Sequence, residues 1–183
     1  ISVVSDCVAR PEVRALVRGL MSHDIGPLLQ RADWPAYRDA LLVRFANPHL
    51  QHGVHQIATD SSLKIALRWV PAAVDALAAG RTVPGLAYCA AVWMRYCEGA
   101  EESGKAYALS DPRGDALRAL ALAHCEDAPA TFEALGTLPE IWGDILPRHA
   151  GWRHEVITHL RALRRDGVLA HADRVARTLT GPA

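Results

Sequence analysis

The residues best equipped for chemistry lie between Arg44 and Arg68, in the run RFANPHLQHGVHQIATDSSLKIALR. Arg44 could present a guanidinium fork to the oxygens of a sugar or carboxylate. Its structural alternative is charge complementarity with a helix C-terminus, or an ion pair to Asp24 or Asp39. His49, His52 and His55 form an H-x-x-H-x-x-H run. On a helix each step of three turns by about −60°, so the outer pair stands about 120° apart and three imidazoles converge poorly on one ion. The next carboxylate downstream is Asp60, whereas a structural zinc wants four ligands and a catalytic one three plus water. No metal ligand is therefore assigned, and a histidine lining a polar pocket stays open. Lys64 is one of two lysines, with Lys105, against eighteen arginines. It could be a proton-transferring amine, but no second catalytic group is placed with it, so no catalytic residue is assigned.

Other chemistries lack their signatures. There is no G-x-G-x-x-G after a strand, no G-x-x-x-x-G-K-[ST] and no G-x-S-x-G, so no cofactor-binding residue is assigned. Formal net charge is zero, which argues against a nucleic-acid partner, since such binding draws on basic patches. No apolar run is long enough to cross a bilayer, so no membrane partner is expected. Cys7, Cys89, Cys97 and Cys125 form no C-x-x-C pair, and reduced thiols in a cytoplasm are the expectation. No basic segment followed by an apolar one marks a signal peptide. The chain opens on Ile1 in ISVVSDCVARPEV, which reads as a piece of something longer or as a domain with a ragged end.

Helices must position these groups. Pro11 suits a first helical position, and Val13, Leu16, Val17, Leu20 and Met21 make an amphipathic stripe that Gly26-Pro27 stops or kinks. Asp33 is a good N-cap for a second helix, with Tyr37, Leu41 and Phe45 facing inward. Asn47-Pro48 breaks it, and a new helix from Pro48 would carry the histidines opposite Leu50, Val54 and Ile57. Asp60-Ser61-Ser62 signals another cap, after which Leu63, Ala66, Leu67 and Val70 are expected to pack inward. Pro71 is expected to separate that piece from an alanine-rich helix ending at Gly80. The segment LAYCAAVWMRYCEG is apolar around nearly its whole circumference and reads as the central helix. Glu98–Gly104 reads as a polar loop. Asp111-Pro112 would start a helix through Leu117, Leu120 and Leu122. Short helical pieces are expected near Thr131–Leu135 and Pro139–Asp144. A long helix carrying Trp152, Val156, Leu160 and Leu163 runs to Gly167, and a short tail follows over Leu169–Leu179. The five tryptophans fall at core or interface positions. No β-alternation appears, so the fold class is all-α, with residues 1–183 forming one domain.

The run YRDALLVRFANPHLQHGVHQIATDSSLK, Tyr37 through Lys64, closely resembles the C-terminal domain of the polyol-specific long-chain dehydrogenases, that is mannitol 2-dehydrogenase and the fructuronate and tagaturonate reductases. The matching positions are Tyr37, Leu41, Arg44, Phe45, Asn47, Pro48, Leu50, Gln56, Ile57, Asp60, Ser62 and Lys64. PEVRALVRGLMSHDIGPLL before the run, and GLAYCAAVWMRYCEG and KAYALSDPRGDAL after it, fit as well. Two positions depart from the pattern: Ser61 replaces the usual glycine, and Ile65-Ala66 stands where many relatives have a proline.

The resemblance implies a helical domain of the 6-phosphogluconate dehydrogenase C-terminal-like kind. Such a domain closes over an open-chain sugar or polyol, while an N-terminal Rossmann domain absent from this chain binds NAD or NADP. The family interconverts a polyol or aldonate, such as mannitol or mannonate, with fructose or fructuronate. It uses no zinc, and a lysine in a K-x-x-x-x-N-x-x-H motif acts as its acid and base. That motif does not occur in this sequence, so Lys64 does not inherit the role. The resemblance carries Arg44 over as a substrate contact, with His52 lining the same pocket. No cofactor or metal is expected in this chain, which alone should be inactive. A helical binding or interaction module without catalysis is the alternative.

Overall fold

A computed structural model describes residues 11–29, 32–45, 62–100, 102–104 and 106–180, the side chains of 11–14, 28–29, 41–45 and 180 excepted. Every regular element among these residues is helical, as the sequence patterning implies. An isolated bridge between Ala100 and Ala106 is the sole β-type pairing among them. We label the helices α1 (11–29), α2 (Trp34–Phe45), α3 (62–78), α4 (Pro84–Tyr96), α5 (Gly114–Ala123), α6 (Ala128–Leu135), α7 (Pro139–Trp142), α8 (Ala150–Asp166) and α9 (Val168–Thr180), with a 3₁₀ turn at Leu146–Arg148.

Helix α4 is the centre. Leu86, Ala87, Tyr88, Ala90, Ala91, Trp93, Met94 and Tyr96 are all buried on it, and it packs on α1, α6, α8 and α9. An apolar circumference needs neighbours on every side, and burial of each large side chain stabilises by roughly 1.5–3 kcal/mol. Trp93 meets Trp142 edge-on at 5.8 Å, and Trp142 meets Trp152 at 6.1 Å, so the tryptophans on α4, α7 and α8 form one aromatic seam. The Trp142 indole N–H donates to the Leu135 carbonyl at 2.8 Å. The C-terminal piece is a full helix of 13 residues, α9, laid against α1 and α8.

Two prolines expected to break helices are instead absorbed. In α1 the π turn Met21–Ile25 closes with the Gly26 N–H on the Met21 carbonyl, and Pro27 follows. In α3 the π turn Ile65–Trp69 closes with the Val70 N–H on the Ile65 carbonyl, and Pro71 follows. A proline supplies no N–H to the carbonyl four residues back, and its ring crowds that carbonyl. Widening the preceding turn by one residue relieves both faults and lets the helix continue.

The inserted residue also rotates the side chains. On α3 the buried residues are Ser62, Ile65, Ala73 and Ala76, while Leu63 and Leu67 are 63% and 66% exposed, against the expectation that both pack inward. Tyr37 is likewise exposed at 42%, and Trp34 takes the inward place on α2. On α5 the inward residues are Leu117 and Ala121, while Leu120 and Leu122 face out. Gly80 ends α3 at φ +71°, with its own N–H on Leu77 and the Arg81 N–H on Ala76, the paired bonds of a Schellman end.

Candidate functional site

Of the residues singled out as substrate contacts, Arg44 belongs to the last turn of α2, and its side chain lies outside the described residues. His52 lies outside them too, as do His49, His55 and Asp60. Lys64 is described on the first turn of α3, and it has interactions of its own there. Asp39 bonds both Arg18 and Arg38 at 2.9 Å, and Asp24 is fully buried inside the fold.

The described residues resume at Ser62. Ser62, the first residue of α3, is buried, and its backbone N–H donates to Asp111 Oδ2 at 2.6 Å. Asp111 does not open the next helix, as its Asp-Pro step suggests. It lies in a turn before α5, where its Oδ1 accepts the Arg113 N–H at 2.8 Å. Tyrosines hold that loop. Tyr96 and Tyr107 stack at 5.2 Å with 12° between their planes. The Tyr107 hydroxyl donates to the Tyr96 carbonyl at 3.0 Å, and the Ser110 N–H donates to the Tyr96 hydroxyl at 2.9 Å. Beside Asp111 the loop and the start of α5 form an open cleft of about 500 Å³ lined by Leu109, Asp111, Arg113, Asp115 and Arg118. Its two arginines and two aspartates leave it without a strong net sign, and Arg113 is paired to Glu140 at 2.6 Å.

A second polar junction anchors α4. Asp24, in the π turn of α1, is wholly buried and accepts the Leu86 N–H at 2.6 Å. It thereby caps a helix whose own N-cap, Val83, supplies no side-chain bond. His23 Nδ1 sits 2.7 Å from the other carboxylate oxygen. Burial raises the Asp24 pKa, and the His23 bond and the α4 amides pull against that rise. Gly85 makes the approach possible: a Cβ there would stand 3.0 Å from Asp24 Oδ2. Glu155 on α8 is raised as well, first by burial and then by the charge of Asp24.

A third cluster joins α8, α9 and α4. His159 Nδ1 and His171 Nε2 are 2.8 Å apart, and Tyr88 packs edge-on to His159 at 5.7 Å and beside His171 at 5.5 Å. The Tyr88 hydroxyl donates to the Val168 carbonyl at 3.2 Å. Of His159 Nδ1 and His171 Nε2, one donates and the other accepts, and His171 Nδ1 is buried without a hydrogen-bond partner. Burial, and then the charge of His171, push the His159 pKa down to about 4. Burial also lowers that of His171, with Arg174 next in effect. The three polar junctions escaped sequence reading. The acidic cap of α4 and the cap of α3 are each supplied from a distant segment, and the histidine pair is twelve residues apart on two helices.

Comparison with known proteins bears on what these junctions serve. The family model for the mannitol dehydrogenase C-terminal domain matches residues 1–164. The chain belongs to the mannitol dehydrogenase C-terminal domain family. Among curated members, mannitol 2-dehydrogenase of Phaeosphaeria nodorum is 32% identical over 170 residues, 91% of this chain and 29% of that protein. The uncharacterized oxidoreductase YeiQ of Escherichia coli is 37% identical over 148 residues, 79% of this chain and 30% of its own. The Pseudomonas fluorescens mannitol 2-dehydrogenase, solved as a ternary complex with NAD and D-mannitol, superposes with a TM-score of 0.79 at 24% identity. The match covers 98% of this chain and 36% of that one, and it shows the shared fold. The chain thus spans about a third of the length of the mannitol dehydrogenases it matches. No helix among the described residues is long and apolar enough to cross a membrane, and no group of three or more His, Cys, Asp or Glu there could hold a metal.

Proposed function

We propose that this chain is the substrate-binding part of an NAD(P)-dependent oxidoreductase that interconverts a polyol or aldonate with its keto sugar. Membership of the mannitol dehydrogenase C-terminal domain family, over 164 residues, carries this reading. Arg44 and His52 are its substrate contacts. A guanidinium reaches two oxygens of an open-chain sugar at once, and an imidazole adds one further donor or acceptor. Both precede in sequence Ser62, whose backbone N–H is held by Asp111.

The cofactor does not fit the residues described in this chain. A dinucleotide is bound where a strand passes through a glycine-rich turn into a helix whose N-terminal amides face the pyrophosphate. The described residues contain no strand. The glycines with positive φ, at 80, 99, 104, 143 and 167, occupy helix ends and loop turns instead. NAD or NADP, and the lysine that exchanges a proton with the substrate, belong in this reading to a preceding domain that forms the other wall of the pocket. The chain's own task is to bind and orient the sugar and to shield it from water.

The test is to express the whole reading frame and assay mannitol, mannonate, fructose and fructuronate with both nicotinamide cofactors. Turnover of one polyol–ketose pair by the long protein, and none by residues 1–183, supports the reading. A reading frame without a dinucleotide-binding segment, or a long protein inert on every polyol and ketose, removes it.

A further inference from the structure

We propose that α9 is a proton-released clasp: protonation of the His159–His171 pair frees α9 as a unit from the helical body, swinging on Gly167. Helices α8 and α9 are joined by that single residue, at φ +83°. The head of α9 is fastened from three sides. The Val168 N–H donates to Glu102 Oε1 at 2.6 Å, and the Val168 carbonyl accepts the Tyr88 hydroxyl at 3.2 Å. One turn on, His171 meets His159 at 2.8 Å, and Tyr88 packs against both rings. Beyond its head, α9 is seated by Ala172, Val175, Ala176 and Leu179, which recur at i, i+3, i+4 and i+7 and are buried. Two of the four are alanines, so this seat buries little apolar area, and the polar head decides whether α9 stays.

The closed fold has no place for the protons. His171 is 7% exposed, and its Nδ1 is buried without a hydrogen-bond partner. Protonating both rings sets two N–H donors face to face and puts a third on Nδ1, where nothing accepts it. Opening carries both rings into water. The groups around the pair do little to hold a charge on it. From α9, Arg174 opposes one; from α8, Asp166 favours it and Arg165 opposes it. From α4, Tyr88 presents its ring, and its hydroxyl proton is engaged at Val168. Glu155, one turn before His159 on α8, is itself raised towards the neutral form by burial. On α1, Arg18 is bonded to Asp39, and His23 and Asp24 are bonded to each other. Glu102 is engaged at the Val168 N–H. Burial, and then the charge of His171, hold the His159 pKa at about 4 against 6.5 in water, so the open form binds more protons and gains as pH falls through that window. From pH 7 to pH 5, His159 alone raises the open fraction about twentyfold.

The experiment is amide exchange in the 183-residue protein at pH 7 and pH 5, read on peptides by mass spectrometry as protection relative to the unstructured rate at each pH. Wild type, Tyr88→Phe and His159→Gln are compared. In wild type, α9 is less protected than α4 at both pH values, as a unit that opens by itself must be. Its protection falls about twentyfold or more from pH 7 to pH 5, and returning to pH 7 restores it. Tyr88→Phe removes the bond to Val168 and keeps the pair, so it lowers α9 protection at both pH values and retains the wild-type slope. His159→Gln leaves a fall of less than about fivefold, because one of the two titrating rings is gone. Equal protection of α9 and α4 in wild type overturns the proposal, since α9 then opens only with the whole fold. Protection of α9 that does not change with pH overturns it too, as does a wild-type slope in His159→Gln. Should His159→Gln fail to fold, the wild-type comparison of α9 with α4 at the two pH values decides on its own.

Discussion

Acidification should loosen this fold through the His159–His171 pair. At neutral pH one imidazole donates to the other across 2.8 Å. Protonating both would set two N–H donors face to face beneath Tyr88. The folded pKa of His159 is about 4, from an ordinary value of 6.5, so between those values the unfolded chain binds more protons than the folded one. Stability therefore rises with pH through this window and is lost as pH falls from 6.5 towards 4. For His159 alone the loss between pH 7 and pH 5 is about 2 kcal/mol. His171 shifts in the same direction and adds to it. Asp24, Glu98 and Glu155 act oppositely: their pKa values are raised, so the folded state takes up their protons first and their contribution grows as pH falls. The assay is urea unfolding of residues 1–183 at pH 7, 6 and 5, followed by tryptophan fluorescence, for wild type and His159→Gln. The glutamine variant starts less stable but loses about 1 kcal/mol or more less than wild type across the range. Parallel pH profiles for the two proteins would refute the assignment of the histidine pair.

Three further outcomes follow from the packing. Asp24→Ala removes the cap of α4 and strands the buried Leu86 N–H, so equilibrium unfolding should show a loss of roughly 1–3 kcal/mol. Gly85→Ala should destabilise despite alanine's better helix propensity, because its Cβ meets Asp24 at 3.0 Å and Leu20 at 3.1 Å; thermal melting with a raised Tm would contradict this. Burial pushes the Cys89 thiol up to about 12 and that of Cys97 well above its ordinary value. Both should stay unmodified by iodoacetamide at pH 8 in the native protein and react in urea, as peptide mass spectrometry would show.

The helical class, the buried α4 and the long α8 were legible in the sequence because each shows in the spacing of neighbouring residues. Pro11 and Gly80 were legible for the same local reason. The inward faces of α2 and α3 were misjudged at Tyr37, Leu63 and Leu67. For Leu67 the cause is physical: it lies within the π turn Ile65–Trp69, which adds a residue to the helix before Pro71 and rotates the stripe that a strict period assigns. Asp111 and Asp24 were misread or passed over because each caps a helix far from it in sequence. An Asp-Pro step looks like the start of its own helix, and nothing local marks it as the cap of another. His159 and His171 carry no signal at all, since neither meets the other until α9 folds back on α8.

The central claim is that this domain holds the sugar for an oxidoreductase, and Arg44 is the residue on which it turns. The most direct measurement is the KM for the ketose in the protein from the whole reading frame, with and without Arg44→Ala. The account predicts a rise of about tenfold or more for the sugar with the cofactor KM nearly unmoved, as expected for loss of a charge-assisted contact. An Arg44→Ala enzyme that binds its sugar like wild type would contradict it.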